Sequence, residues 1–118
     1  MAVRELVAEI KVPTKNVDHV EKINVQALET IRDVLETMEH HNMEYISGPD
    51  IGVNSRLLVL DATQQNFGII IMINPTIVYD VENKVVVEYN DIFGHNQTVI
   101  LVDKLAECFR FAMEEIGE

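Results

Sequence analysis

From Phe67 to Ile73 the chain is almost continuously apolar, and four of these seven residues are isoleucine. Branching at Cβ favours the extended backbone. The run is too short for a stable helix, and it lacks the polar–apolar alternation of a strand with one wet face. It therefore reads as a strand covered on both sides, which commits the chain to a layered fold. Shorter strands surround it. Arg56 to Asp61 reads as a buried strand, and Ala62 to Asn66 as a polar turn. Thr76 to Asp80 is a short strand, with a hairpin turn predicted at Glu82-Asn83 and another strand from Lys84 to Asn90. A turn at Phe93-Gly94-His95-Asn96, which includes His95 as a turn residue, precedes a last strand from Gln97 to Val102. Met43 to Ser55 reads as a loop punctuated by Gly48-Pro49 and Gly52.

Two segments carry helical periodicity. In Asn24 to His41 the apolar residues Leu28, Ile31, Val34, Leu35 and Met38 recur at three-four spacing, with Asn24 as N-cap. His40 and His41 end it, where a cation suits the macrodipole. Adjacent helical residues point about 100° apart, so the pair alone is not a metal site. A final helix, capped by Asp103, has its apolar positions at Leu105, Ala106, Phe109, Ala112, Met113 and Ile116. Ala2 to Asp18 gives a mixed signal: Val3, Leu6, Val7 and Ile10 suit a short helical or extended lead-in, and Pro13 and Asn16 break it. The expected architecture is α+β, a single domain over 1–118, with a mostly antiparallel sheet packed on two principal helices.

At 118 residues such a chain buries roughly two-thirds of its unfolded surface, enough for a core without disulfides. The single cysteine, Cys108, excludes an intrachain disulfide, suits a reducing compartment, and reads as a small buried hydrophobe. No apolar run approaches the ~20 residues of a membrane span. The start, Met1 to Lys11, has no signal-peptide core, so the expectation is a cytoplasmic protein. Net charge is −11, from 20 acidic and 9 basic residues spread along the chain. That balance disfavours phosphate backbones and favours solubility or a basic protein partner.

Five pieces of this sequence, in order, resemble peptide deformylases. Asn24 to His41, down to Leu35-Glu36-Thr37-Met38, is similar to that family's first long helix. Pro49-Asp50-Ile51-Gly52-Val53 and the following Arg56 to Asp61 resemble its Pro-Gln-Ile-Gly-Val segment and next strand. Ile73-Asn74-Pro75 is similar to a strand-ending Ile-Asn-Pro. Val85 to Asp91 with Gly94 resembles the strand and turn before the ligand helix, and Leu105-Ala106 with Cys108 matches that helix's opening. The resemblance implies a shortened peptide-deformylase-like fold.

What it implies chemically departs from the family at each of three motifs. In the first, Gly-x-Gly-Leu-Ala-Ala-x-Gln becomes Met43 to Asp50. Asp50 replaces the Gln that polarises the formyl oxygen, and an anion there opposes a developing oxyanion. Tyr45 replaces a glycine and is expected to fill space a substrate would use. The second motif, with its ligating Cys, is missing between Thr76 and Lys84. In the third, His-Glu-x-Asp-His becomes Phe111-Ala112-Met113-Glu114-Glu115. Phe111 cannot ligate a metal, Ala112 cannot move a proton, and Glu115 alone would not retain one. An aromatic at Phe111 would plug the emptied site; the alternative is a surface side chain.

These departures set the functional expectation: a noncatalytic member of this scaffold, a pseudoenzyme with a binding or regulatory role and no metal or other cofactor, of a size that fits a virus-encoded version. Family members usually continue past the position of Glu118, so their docking at the ribosome exit region carries no expectation here. Two alternatives stand beside it. One is an acidic interaction or inhibitor protein that mimics nucleic acid or targets a basic partner. The other is a hydrolase with a relocated, metal-free site using Asp50, Glu114 or Glu115 as acid and base. An unknown protein partner is expected, with neither nucleic acid nor membrane. Loss of the second-motif strand also predicts an exposed edge near Ile77, Val85 and Val87, through which a homodimer would form.

Overall fold

The computed structural model describes residues 20–116. Helix α1 (Val25–His41) comes first. Strands β1 (Tyr45–Ser47), β2 (Leu57–Asp61), β3 (Ile69–Val81), β4 (Lys84–Asn90) and β5 (Asn96–Val102) follow, and helix α2 (Asp103–Ile116) closes the order. The five strands pair antiparallel in sequence order. This is the expected α+β architecture. The lead-in expected around Val3 to Ile10 lies outside the described residues.

The apolar run is explained by the two cores it separates. Ile70 and Met72 face one core with Leu58, Leu60, Val85, Val87 and the buried side of α2. Ile71 and Ile73 face the other with Leu57, Val59 and the α1 residues Ile31, Val34 and Met38. Successive residues of β2 and β3 thus alternate between helices and not between helix and water. Leu28 is the exception to the α1 pattern, 45% exposed at the helix's first turns. On α2 all six expected apolar positions are buried. Asn24 caps α1 as expected, its Oδ1 accepting from the Ala27 amide at 2.9 Å. Asn42 ends α1 in the left-handed region, φ 56°.

Three sequence expectations need correction. Met43 to Ser55 is not all loop, because it contains β1 and a one-turn 3₁₀ segment, Pro49–Ile51. Thr76 to Asp80 is not a separate strand. β3 runs on through Asn74 and Pro75, where Asn74 takes φ 53° and the pairing with β4 shifts register. A bulge is where a sheet tolerates proline. The freed Asn74 side chain accepts from the Val20 amide at 2.8 Å and donates to the Val20 carbonyl at 2.7 Å, pinning the chain ahead of α1. Finally, there is no edge at Ile77, Val85 and Val87. The two-residue turn at Glu82-Asn83 lays β4 directly between β3 and β5, so Val85 and Val87 are fully buried and Ile77 packs on the same core. Among the described residues the sheet's edges are β1 and β5.

The sheet curls around α2 far enough for its two sides to meet. Gln65, in the β2–β3 loop, donates to the Ile100 carbonyl at 3.1 Å and accepts from the Val102 amide at 2.9 Å. One side-chain amide thereby occupies the last rung of the β5 edge. The same loop forms one wall of the groove described next.

Candidate functional site

Strand β1 and helix α2 lie side by side, and the sequence-predicted positions fall on both. Tyr45 and Ser47 are two residues apart on β1. Phe111 and Glu115 are one helical turn apart on α2. Asp50 sits in the 3₁₀ turn after β1. The Ser47 hydroxyl donates to Glu115 Oε2 at 2.8 Å. The Ser47 amide donates to Asp50 Oδ2 at 2.9 Å, and the Asp50 amide donates back to Ser47 Oγ at 3.3 Å. This reciprocal exchange is that of a capping box, with Asp in place of Glu. Gly48 makes the turn possible, since a Cβ there would lie 2.5 Å from the Ser55 carbonyl oxygen.

Ser47 and Asp50 are buried, and Glu115 is half-buried above them. Burial, followed by the hydrogen bond with Asp50, pushes the Glu115 carboxyl up to about 8, against the opposing pull of the Ser47 hydroxyl. Glu115 thus holds its proton more tightly than an ordinary carboxyl, with the Asp50 carboxyl group beside it. Its helix end is held by Arg56, buried between layers, which donates from Nη1 to the Ile116 carbonyl at 3.0 Å and from Nη2 to the Pro75 carbonyl at 2.8 Å. The first contact satisfies a carbonyl that the helix terminus leaves open.

A groove of about 380 Å³ lies between β1 and α2, lined among others by Glu44, Tyr45, Asp61, Leu105, Cys108 and Phe111; Tyr45 shares β1 with Ser47, and Phe111 shares α2 with Glu115. Tyr45 narrows it without closing it. Burial, and then the Glu115 carboxylate that exists once that acid has ionised, raise its hydroxyl above the usual tyrosine range. Phe111 is 56% exposed and forms a wall; it does not plug the site. Ala112 faces the α2 core, fully buried. Cys108 is half-buried at the groove's side, 3.8 Å from Glu44 Oε2. Burial and that carboxylate push its thiol up to about 11, so it is neither an inert core residue nor a thiolate. Glu114 is exposed, His40 and His41 stand exposed at the end of α1, and His95 lies in an exposed loop. Sequence reasoning missed Ser47, although Ser-x-x-Asp is a local signature. It also missed Glu44 and Gln65, whose roles depend on contacts distant in sequence.

The resemblance implies a metal, and the residues present do not fit one. The ligand positions are Phe111 and Glu115. Among the described residues no three His, Cys, Asp or Glu side chains group so as to hold a metal ion. Among them, too, no helix is long and apolar enough to cross a membrane.

Comparison with known proteins bears on the family and on activity. The polypeptide deformylase family profile matches residues 6–86. Peptide deformylase 1 of Nostoc sp. (strain PCC 7120) is 30% identical over 120 aligned positions, covering 81% of this chain and 64% of the relative. The chain thus spans less than two-thirds of that relative's length. The peptide deformylase of Finegoldia magna is 27% identical, covering 82% of this chain and 73% of its own. Among solved structures, a peptide deformylase from Legionella pneumophila superposes with a TM-score of 0.84 at 23% identity, over 98% of this chain and 81% of that one. The Ehrlichia chaffeensis peptide deformylase in complex with actinonin gives 0.87 at 19%, over 98% and 84%. These likenesses show the fold. The curated relatives carry the name of an enzyme, and nothing in the structure demonstrates inactivity. The expectation that this chain is not an enzyme is therefore overturned. By the profile match over residues 6–86, the chain belongs to the polypeptide deformylase family.

Proposed function

We propose that this chain hydrolyses the blocked N-terminal amide of peptides, seating the peptide in the β1–α2 groove and using the Glu115–Asp50 pair for proton transfer. The observation that carries this reading is the half-buried Glu115 carboxyl. It accepts from the Ser47 hydroxyl, and Ser47 in turn exchanges hydrogen bonds with Asp50, on the same β1 and α2 that wall the groove. Two carboxyl groups held together share one proton, which supplies an acid and a base at the same place. Water adds through oxygen to the formyl carbon as Asp50 takes its proton. The C–N bond then breaks, its electron pair staying on nitrogen, which takes the proton of Glu115. Formate and a free amine leave, and proton transfer between Asp50 and Glu115 restores the starting state. Arg56 and the Gly48 turn keep the two carboxyls in register from opposite sides of the seam.

The test is formate release from a formyl-Met-Ala-Ser peptide under single-turnover conditions. Positioned acid–base groups contribute about 100-fold or more. Glu115→Gln and Asp50→Asn should each lower the rate by that factor, and the wild-type rate should fall as pH rises through about 8, where Glu115 loses its proton. Turnover indifferent to both substitutions would overturn the assignment.

A further inference from the structure

We infer that Asn74, in the bulge of β3, is a positioning residue for Glu115 and acts on it through Arg56. This rests on the hydrolysis just proposed, since it concerns how one of the two carboxyls is held in place. The β3–β4 register passes from Ile73 opposite Asn90 to Thr76 opposite Glu88, so Asn74 and Pro75 together face only Tyr89. Asn74 takes φ 53°, a backbone that asparagine tolerates better than most residues. A left-handed residue inside a strand persists only where its surroundings hold it. Here the Val20 backbone does so from both sides, donating to the Asn74 side chain at 2.8 Å and accepting from it at 2.7 Å.

The two bulge residues grip Arg56 at both of its ends. The Asn74 amide donates to the Arg56 carbonyl at 2.9 Å, one residue beyond the last paired rung of β2 and β3, Leu57 with Ile73. The Pro75 carbonyl accepts from Arg56 Nη2 at 2.8 Å. With main chain and guanidinium both set by one bulge, the planar fork aims Nη1 at the Ile116 carbonyl, 3.0 Å away. Ile116 is buried and follows Glu115 directly. A shift of the bulge therefore moves the last turn of α2, and with it Glu115 Oε2 relative to the Ser47 hydroxyl that donates to it. The path runs Val20, Asn74, Arg56, Ile116, Glu115, and each step but the last, which is covalent, is a hydrogen bond at 3.0 Å or less.

The experiment compares Asn74→Gly with Asn66→Ala in the full chain. Glycine keeps the left-handed backbone and the amide to Arg56 but removes both bonds to Val20. Asn66 is also left-handed, φ 64°, in the β2–β3 loop and off this path, so Asn66→Ala controls for backbone strain alone. Two quantities are read: kcat and KM for formate release from formyl-Met-Ala-Ser, and amide exchange at Glu115 and Ile116. Asn74→Gly should lower kcat about tenfold with KM within about twofold, because a displaced acid weakens proton transfer and not peptide seating. It should also speed exchange in the last turn of α2 by about tenfold. Asn66→Ala should leave kcat and exchange unchanged. Arg56→Lys, whose ammonium cannot span both carbonyls, should lower kcat too, and adding Asn74→Gly to it should lower kcat no further. Unchanged kcat or unchanged exchange in Asn74→Gly, or the same changes in Asn66→Ala, overturns the inference whether or not Arg56→Lys folds. If Asn74→Gly speeds the exchange but wild type releases no formate, the hydrolysis falls and the hold of Asn74 on Glu115 stands.

Discussion

Glu115 concentrates the chemistry in one side chain, and its ionisation has a consequence for stability. Folded, its carboxyl is raised to about 8; unfolded, it returns to near 4.5. Between those values the folded chain holds a proton that the unfolded chain has released. The group's contribution is therefore fully present below pH 4.5 and is lost as pH rises through 8. Glu115→Gln removes the dependence. An amide can accept from Ser47 and donate to Asp50 as the protonated acid does. The variant should be more stable than wild type near pH 8, on the order of 1–2 kcal/mol after discounting for partial exposure. Its denaturant midpoint should also be flatter from pH 5 to 8, even as hydrolysis is lost. A wild-type midpoint constant over that range would refute the raised carboxyl. Cys108 gives a second residue-scale check. With its thiol at about 11, alkylation at pH 8 should be slow in the native state, and Glu44→Gln should accelerate it by withdrawing the carboxylate that contributes to the shift. Equal rates in both proteins would show that burial alone protects the thiol.

At the scale of elements, legibility followed the length over which a pattern repeats. α2 could be read in full because six apolar positions recur at one period, and all six are buried. β1 has three residues, too few for any period, and went unseen. β3 looked like two strands because Asn74 and Pro75 are turn residues by composition. Only the bulge geometry, with Asn74 bonded to Val20, shows how a strand runs through them. The candidate site divides in the same way. Ser47 and Asp50 form a local motif visible in four residues. Their union with Glu115 spans 68 positions and needs the packing of α2 on β1. The Gln65 contact was equally hidden, and it yields a prediction about the sheet. Gln65→Ala removes two hydrogen bonds to the β5 edge, so it should cost about 1–2 kcal/mol and raise amide exchange at Val102, whose N–H is one of the groups released. Because the same loop walls the groove, peptide affinity should fall with it. Unchanged exchange at Val102 would mean that the edge is protected by something other than this amide.

The chain carries a net charge of −11 on a body 35 × 28 × 27 Å across. At about 10 mM salt the Debye length is roughly 30 Å, so each carboxylate feels nearly every other; at about 150 mM it is roughly 8 Å, and only neighbours count. Self-repulsion is greater in the compact state than in the expanded chain. Raising salt across that interval should therefore raise Tm, by a few degrees if the relief approaches ~1 kcal/mol. The ion pair between Arg110 and Asp80, 2.7 Å apart, lies between α2 and the end of β3 and would be weakened by salt. Its exposure limits that loss to a fraction of the gain. A Tm that falls with salt would locate the dominant electrostatic term in such pairs.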